Sequence, residues 1–260
     1  MTTEPTRLER LMSGGAEIAG GAVAGALGFL AAGPIGAALA GAGGAAAATA
    51  LRGLGEEASK RLLGPREKVR AGAVLVIAAD AIRRRIEAGE SIRSDGFFDP
   101  KHGTRSDADE VAENVLLKSQ REPEERKIPY LGNLFAALSF SPDVSAEMAH
   151  QLIKISEQLT YRQFCILKLA VVKQAYGLRT GSYRNSPQTI KRDLYQVLYE
   201  CMDLYHRGLV NFGGTAALGV TDVDPASMTI MGLGVDIFNL MQLISVPNRD
   251  LSAIAQQLKR

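Results

Sequence analysis

Along most of this chain, apolar positions recur every three or four residues, the spacing of one buried helix face. The exception is residues 18–51, which carry no charged side chain and consist mainly of glycine and alanine, with Gly33-Pro34 near the middle. Glycine ends a helix readily and proline starts one readily, so this stretch predicts two apolar helices joined by a tight turn. A polar lead over residues 1–12 precedes this hairpin, which is assigned to residues 13–51.

After a charged connector, Gly64-Pro65 repeats the same stop-and-start signal, and residues 52–90 are read as connector plus helix. Leu75, Ala79, Ile82 and Ile86 follow one face of that helix, and Val69, Ala73 and Val76 follow another, so its middle is expected to be buried. Asp80 falls on the second face and is expected to pair with a neighbouring arginine or to sit at the edge of the core. Residues 91–106 are rich in Gly, Ser, Asp and Pro, which predicts a loop and a domain boundary. Residues 107–260 form the remaining domain. Within it, helices are expected at 107–120, 124–139, 145–159 and 160–176, with starts marked by Ser106, Pro123, Asp143 and Thr160.

The pattern then changes. A helix over about 187–206 leads into Gly208-Leu209-Val210. Strand-like runs follow at 220–224 and 227–231, then a helix at 235–243. That order predicts a winged-helix-like carboxy-terminal part. The fold class expected is mainly α: a helical hairpin plus a helical bundle with this small winged-helix-like end.

Composition narrows the chemistry. The formal charge of +2 is too small to argue for nucleic acid, and an apolar content of 46% suffices for a core. Cys165 and Cys201 lie in apolar helical patterns and are expected as buried free thiols. His102, His150 and His206 are scattered, and neither they nor the cysteines match a metal motif. No metal, cofactor or catalytic set is therefore expected. The carboxylates Asp95, Asp99, Asp107, Asp109, Glu110 and Glu113 match no calcium loop, and a solvated loop plus a helix start accounts for them. The glycines match no P-loop and follow no strand, so nucleotide binding fails too. A secretory signal fits poorly: Glu4 and Glu9 offset Arg7 and Arg10, and the apolar stretch is about twice the usual length.

The hairpin carries the sharpest signal. Gly21 and Gly25 are spaced for close helix packing, as are Gly33 and Gly41 with Ala37 between them. Residues 18–32 span only about 22 Å as a helix, against a hydrocarbon core about 30 Å thick. Ile18, Val23, Leu27, Phe29 and Leu30 contribute about 1.5–3 kcal/mol to insertion, and Ile35, Leu39 and Leu51 about 1 kcal/mol. A single copy is thus marginal in a membrane. Close packing in a soluble fold and insertion as a homo-oligomer both remain open. The hairpin contact residues are Gly21, Gly25, Leu27, Phe29, Leu30, Gly33, Pro34, Ile35, Leu39 and Gly41. The cations Arg52, Lys60, Arg61, Arg66, Lys68 and Arg70 flank it and favour a cytoplasmic base.

Two basic groups have separate readings. Arg83, Arg84 and Arg85 could meet phosphate or anionic lipid, or simply form a solvated helix end. In the winged-helix-like part, Lys191, Arg192 and Arg207 are the DNA-contact candidates, opposed by Asp193, Glu200 and Asp203 on the same helix.

The stretch from Lys127 through Ile-Pro-Tyr-Leu-Gly-Asn-Leu-Phe-Ala-Ala-Leu, the helix after it, and Leu159-Thr-Tyr-Arg-Gln-Phe-Cys-Ile-Leu resemble a bacterial helical family labelled abortive-infection alpha. Gly208-Leu-Val and the closing helix also fit, so the resemblance covers about residues 107–245. It implies antiphage defence and brings no catalytic residues; the hairpin lies outside it. The function expected is a non-enzymatic defence effector, cytoplasmic and associated with the inner membrane, that disturbs that membrane as an oligomer after sensing a signal or protein partner. The alternative is a soluble winged-helix regulator that binds DNA or protein.

Overall fold

The computed structural model describes residues 46–51, 53, 64–100, 105–184, 190–214 and 216–259. The hairpin residues Gly21, Gly25, Leu27, Phe29, Leu30, Gly33, Pro34, Ile35, Leu39 and Gly41 lie outside them, as does most of the connector. The protein is mainly helical and divides into two compact units, Met1–Gln158 and Leu159–Arg260.

In the first unit, α1 (Pro65–Glu87) begins as its sequence predicts. Proline occupies the first turn, and the Glu67 carboxylate accepts the Gly64 N–H at 2.7 Å. α2 (Asp107–Arg121) opens with a capping box: Ser106 Oγ accepts the Asp109 N–H at 3.1 Å, while the Asp109 carboxylate accepts that of Ser106 at 2.9 Å. Two backbone donors at the helix start are thereby satisfied. α3 (Ile128–Leu138) follows a 3-10 turn, Glu125–Lys127, and α4 is Ala146–Gln158. α1 packs on both α2 and α3, and α4 on both α2 and α3, around buried Leu75, Ile82, Leu116, Leu131, Phe135 and Leu152. At Gly132 a β-carbon would lie 3.0 Å from Val74 O and 2.9 Å from Ile77 Cγ2, so the absence of a side chain sets the α1–α3 spacing.

The loop expected to separate domains instead belongs to this unit. Arg93 is buried; its guanidinium donates to Leu138 O (3.3 Å) and Val144 O (2.9 Å), and its Nε donates to Asp95 at 2.8 Å. The same group lies 4.2 Å above the buried Phe97 ring. The loop is thus fastened to the end of α3, and the division falls between Gln158 and Leu159 rather than in residues 91–106.

The second unit begins with α5 (Tyr161–Val172), capped by a reciprocal Thr160/Gln163 box. α6 (Arg192–His206) ends at Gly208, whose φ of +69° is left-handed. Gly208 N–H donates to Tyr205 O and Leu209 N–H to Leu204 O, the two bonds of a Schellman turn. That turn delivers the chain into β1 (Val210–Phe212), which pairs antiparallel with β2 (Met228–Ile230) in the register Val210↔Ile230, Asn211↔Thr229, Phe212↔Met228. α7 (Leu233–Leu240) and α8 (Asn248–Leu258) complete the unit. A β-carbon at Gly234 would collide with the Leu209 carbonyl, so glycine brings α7 directly onto the start of β1.

The strand-like run at 220–224 is corrected to a 3-10 turn, Val220–Asp222. The Asp222 carboxylate accepts the N–H groups of Leu218 and Gly219, and this local bonding outweighs the strand preference of valine and threonine. α8 was absent from the expected elements, although Leu251, Ile254, Ala255 and Leu258 keep helical spacing and are all buried.

Candidate functional site

Two places could connect this framework to a function. The first is where the apolar segment joins the first unit. Residues 46–51 are helical, and Ala47, Ala48, Ala50 and Leu51 are buried. Leu51 lines a small cavity with Val74, Leu75 and Ala78 of α1, Ala112, Val115 and Leu116 of α2, and Phe135 of α3. The end of the segment is therefore core of the first unit. Small side chains allow the approach, and Leu51 fills the space between three helices.

The second place is the outward face of α6. Its buried side is Leu194, Val197, Leu198, Cys201, Met202 and Leu204. On the opposite side Tyr195 and Tyr199 are 48% and 61% exposed, large values for aromatic rings. Arg192 and Gln196 share this face, and Lys191 stands just before the helix, all exposed. The acids of α6 are largely engaged. Glu200 receives both Arg162 Nε (2.7 Å) and Nη2 (2.8 Å), and Asp203 receives Gln163 Nε2 (2.7 Å) and Arg207 Nε (2.9 Å). Lys191 and Arg192 lie together at the start of α6. Arg207 lies past its other end, about 22 Å away for a helix of this length, and its charge is taken up by Asp203.

Arg83, Arg84 and Arg85 do not form an open cationic cluster. Arg83 bridges Asp80 (2.8 Å) and Glu87 (2.9 Å), and Arg84 reaches Asp80 at 3.4 Å. Arg85 pairs with Glu90 and lies 4.2 Å over the Phe140 ring. Asp80 is buried and paired with arginine, as its position on the helix implied. The carboxylates around 95–113 are similarly occupied: Asp95 by Arg93, Asp109 by the α2 cap, and Glu113 by Arg105. The Arg93 hydrogen bonds hold the Asp95 carboxyl below its ordinary pKa. Among the described residues no group of histidine, cysteine and acidic side chains could hold a metal ion, and no helix is long and apolar enough to cross a membrane.

Several buried polar groups gave no signal in the sequence. Lys127 is almost fully buried, with Nζ 2.6 Å from Glu122 Oε2 and donating to Glu157 O at 2.9 Å. Lys168 donates to Val246 O (2.6 Å) and Asn248 Oδ1 (2.7 Å), and burial lowers its pKa. Each ties elements together within its own unit. Both cysteines are free and buried, and burial pushes the Cys201 thiol up to about 12, which makes it a poor nucleophile. Tyr195 and Tyr199 were not among the expected site residues, although their spacing of four residues on the polar side of an amphipathic helix is a signal the sequence carries. No family model matches the chain, and no curated protein or solved structure matches it.

Proposed function

We propose that this protein is a non-enzymatic bacterial defence effector that acts on the inner membrane through residues 13–51, with the second unit serving as its sensing part. One observation carries the reading: the uncharged, glycine- and alanine-rich stretch of residues 18–51 ends in the core of a folded unit, through Ala47, Ala48, Ala50 and Leu51. Such an attachment couples the state of the segment to the packing of α1, α2 and α3. The resemblance of residues 107–245 to the abortive-infection alpha family supports the defence role. The order α6, β1, β2, α7 supports a winged-helix-like sensing part. Marginal insertion of one copy favours assembly of several copies at the membrane.

The test is membrane depolarisation in bacterial cells expressing the full chain. Leu27→Asp with Leu30→Asp places two carboxylates in the first arm, each costing about 2.5–3.5 kcal/mol on insertion. That exceeds the gain from the arm, so depolarisation and membrane fractionation should both be lost. Residues 46–51 stay intact, so the first unit keeps its core. Depolarisation undiminished in this variant would remove the membrane reading.

A further inference from the structure

We infer that the outward face of α6 is a docking surface for duplex DNA, with Lys191 and Arg192 on phosphates and Tyr195, Gln196 and Tyr199 against the groove. The inference gives a ligand to the sensing part proposed above and rests on that reading of the second unit.

Four observations converge on this face. Charge is distributed unevenly: residues 159–260 hold eleven lysines and arginines against seven aspartates and glutamates, so the unit is basic although the whole chain is near neutral. Two of the three acids of α6 that would repel a phosphate backbone are neutralised in place, Glu200 by Arg162 and Asp203 by Arg207. Lys191 and Arg192 form no ion pair among the described residues and are exposed. Finally, two exposed tyrosines one turn apart, with Gln196 beside them, present rings and hydrogen-bonding groups together. Phosphate contacts supply affinity and position, whereas such side chains reach base edges and sugars. α6 also directly precedes the β1–β2 pair, so the turn at Gly208 sets the strands against the end of the exposed helix. Asp193 is the one exposed acid of α6; it lies beside Arg192 at the first turn and one turn before Gln196, at the edge of this face.

The probe is a labelled mixed-sequence duplex about two helical turns long, followed by fluorescence anisotropy with the full chain between about 50 and 200 mM salt. The wild-type protein should bind with an affinity that falls steeply as salt rises. Lys191→Gln with Arg192→Gln should flatten the log–log salt slope by about 2, one for each phosphate contact. Tyr195→Ala with Tyr199→Ala should weaken binding about tenfold or more and leave the slope unchanged. Arg249→Gln, exposed at the start of α8, is the control and should leave the slope unchanged, since a lost phosphate contact would change it by about 1. Unchanged circular dichroism and Tm would show that the exposed substitutions leave the fold intact.

No binding at the lowest salt overturns the inference. So does binding that ignores all four substitutions at Lys191, Arg192, Tyr195 and Tyr199, or binding of single strands in clear preference to the duplex. If the tyrosine variant instead changes the oligomeric state in light scattering without changing DNA affinity, the face joins copies of this chain and the inference fails. Depolarisation measured separately on the same variants keeps the membrane reading distinct: DNA binding can fail while depolarisation persists, and the reverse.

Discussion

Gly132 lies against the backbone of Val74 so closely that a β-carbon there would stand 3.0 Å from the Val74 carbonyl oxygen. This contact sets how near α3 comes to α1. Replacement by alanine recovers about 0.5–1 kcal/mol of helix propensity but overpacks the interface at a cost of about 1–3 kcal/mol. Gly132→Ala should therefore lower stability by about 1–2 kcal/mol in urea titration, and Gly132→Val by more. A stabilised Gly132→Ala variant would show that α1 and α3 separate easily.

The Lys127–Glu122 pair predicts strong non-additivity. Both side chains are almost completely buried, and the Lys127 ammonium also reaches the Glu157 carbonyl at the end of α4. Lys127→Met leaves the Glu122 carboxylate buried without its counter-charge, at a cost of about 3–5 kcal/mol. Glu122→Leu added to Lys127→Met should restore a large part of that loss. A double-mutant cycle by chemical denaturation measures the coupling, and strict additivity would show the pair to be solvated.

Alkaline conditions should unfold the second unit. The folded state holds the Cys201 thiol, ordinarily near 9.0, up to about 12, and the Tyr183 hydroxyl, ordinarily near 10.0, also up to about 12. As pH rises above each ordinary value the unfolded chain releases the proton and the folded one keeps it. Stability then falls by about 1.4 kcal/mol per pH unit for each group. Lys168 acts in the opposite sense, because burial lowers its pKa from 10.5 and the unfolded chain holds the extra proton. The difference between wild type and Cys201→Ala isolates one group: the variant's stability curve should be shallower from about pH 9 upward. Parallel curves would contradict the burial of this thiol.

Leu51 should matter to the first unit as much as a residue of α1 does. It is 1% exposed and faces α1, α2 and α3. Leu51→Ala should cost about 2–5 kcal/mol by thermal or urea denaturation. A chain truncated to begin at residue 53 should be less stable than one beginning at 46. Equal stability of the two would detach the apolar segment from the core and weaken the coupling on which the proposed function depends.

The linear pattern was sufficient wherever the deciding interaction spans three or four residues. Gly64-Pro65 before α1, the Ser106/Asp109 and Thr160/Gln163 boxes, the Asp80 pairing with Arg83, and the Gly208 turn after α6 all join near neighbours. Their elements were legible to within a few residues. The mainly helical class follows from these alone. Interactions between distant residues were not legible. Arg93 turns a segment with the composition of a linker into part of the first unit by binding Leu138 O and Val144 O, which stand 45 and 51 residues away. The burial of Lys127 and Lys168 and the core role of Leu51 likewise depend on which helices meet. So does the pairing of β1 with β2 across a 3-10 turn. One-dimensional spacing specifies which face of an element is apolar, but only packing in three dimensions selects the partner for that face and supplies a counter-charge or carbonyl for each buried polar group.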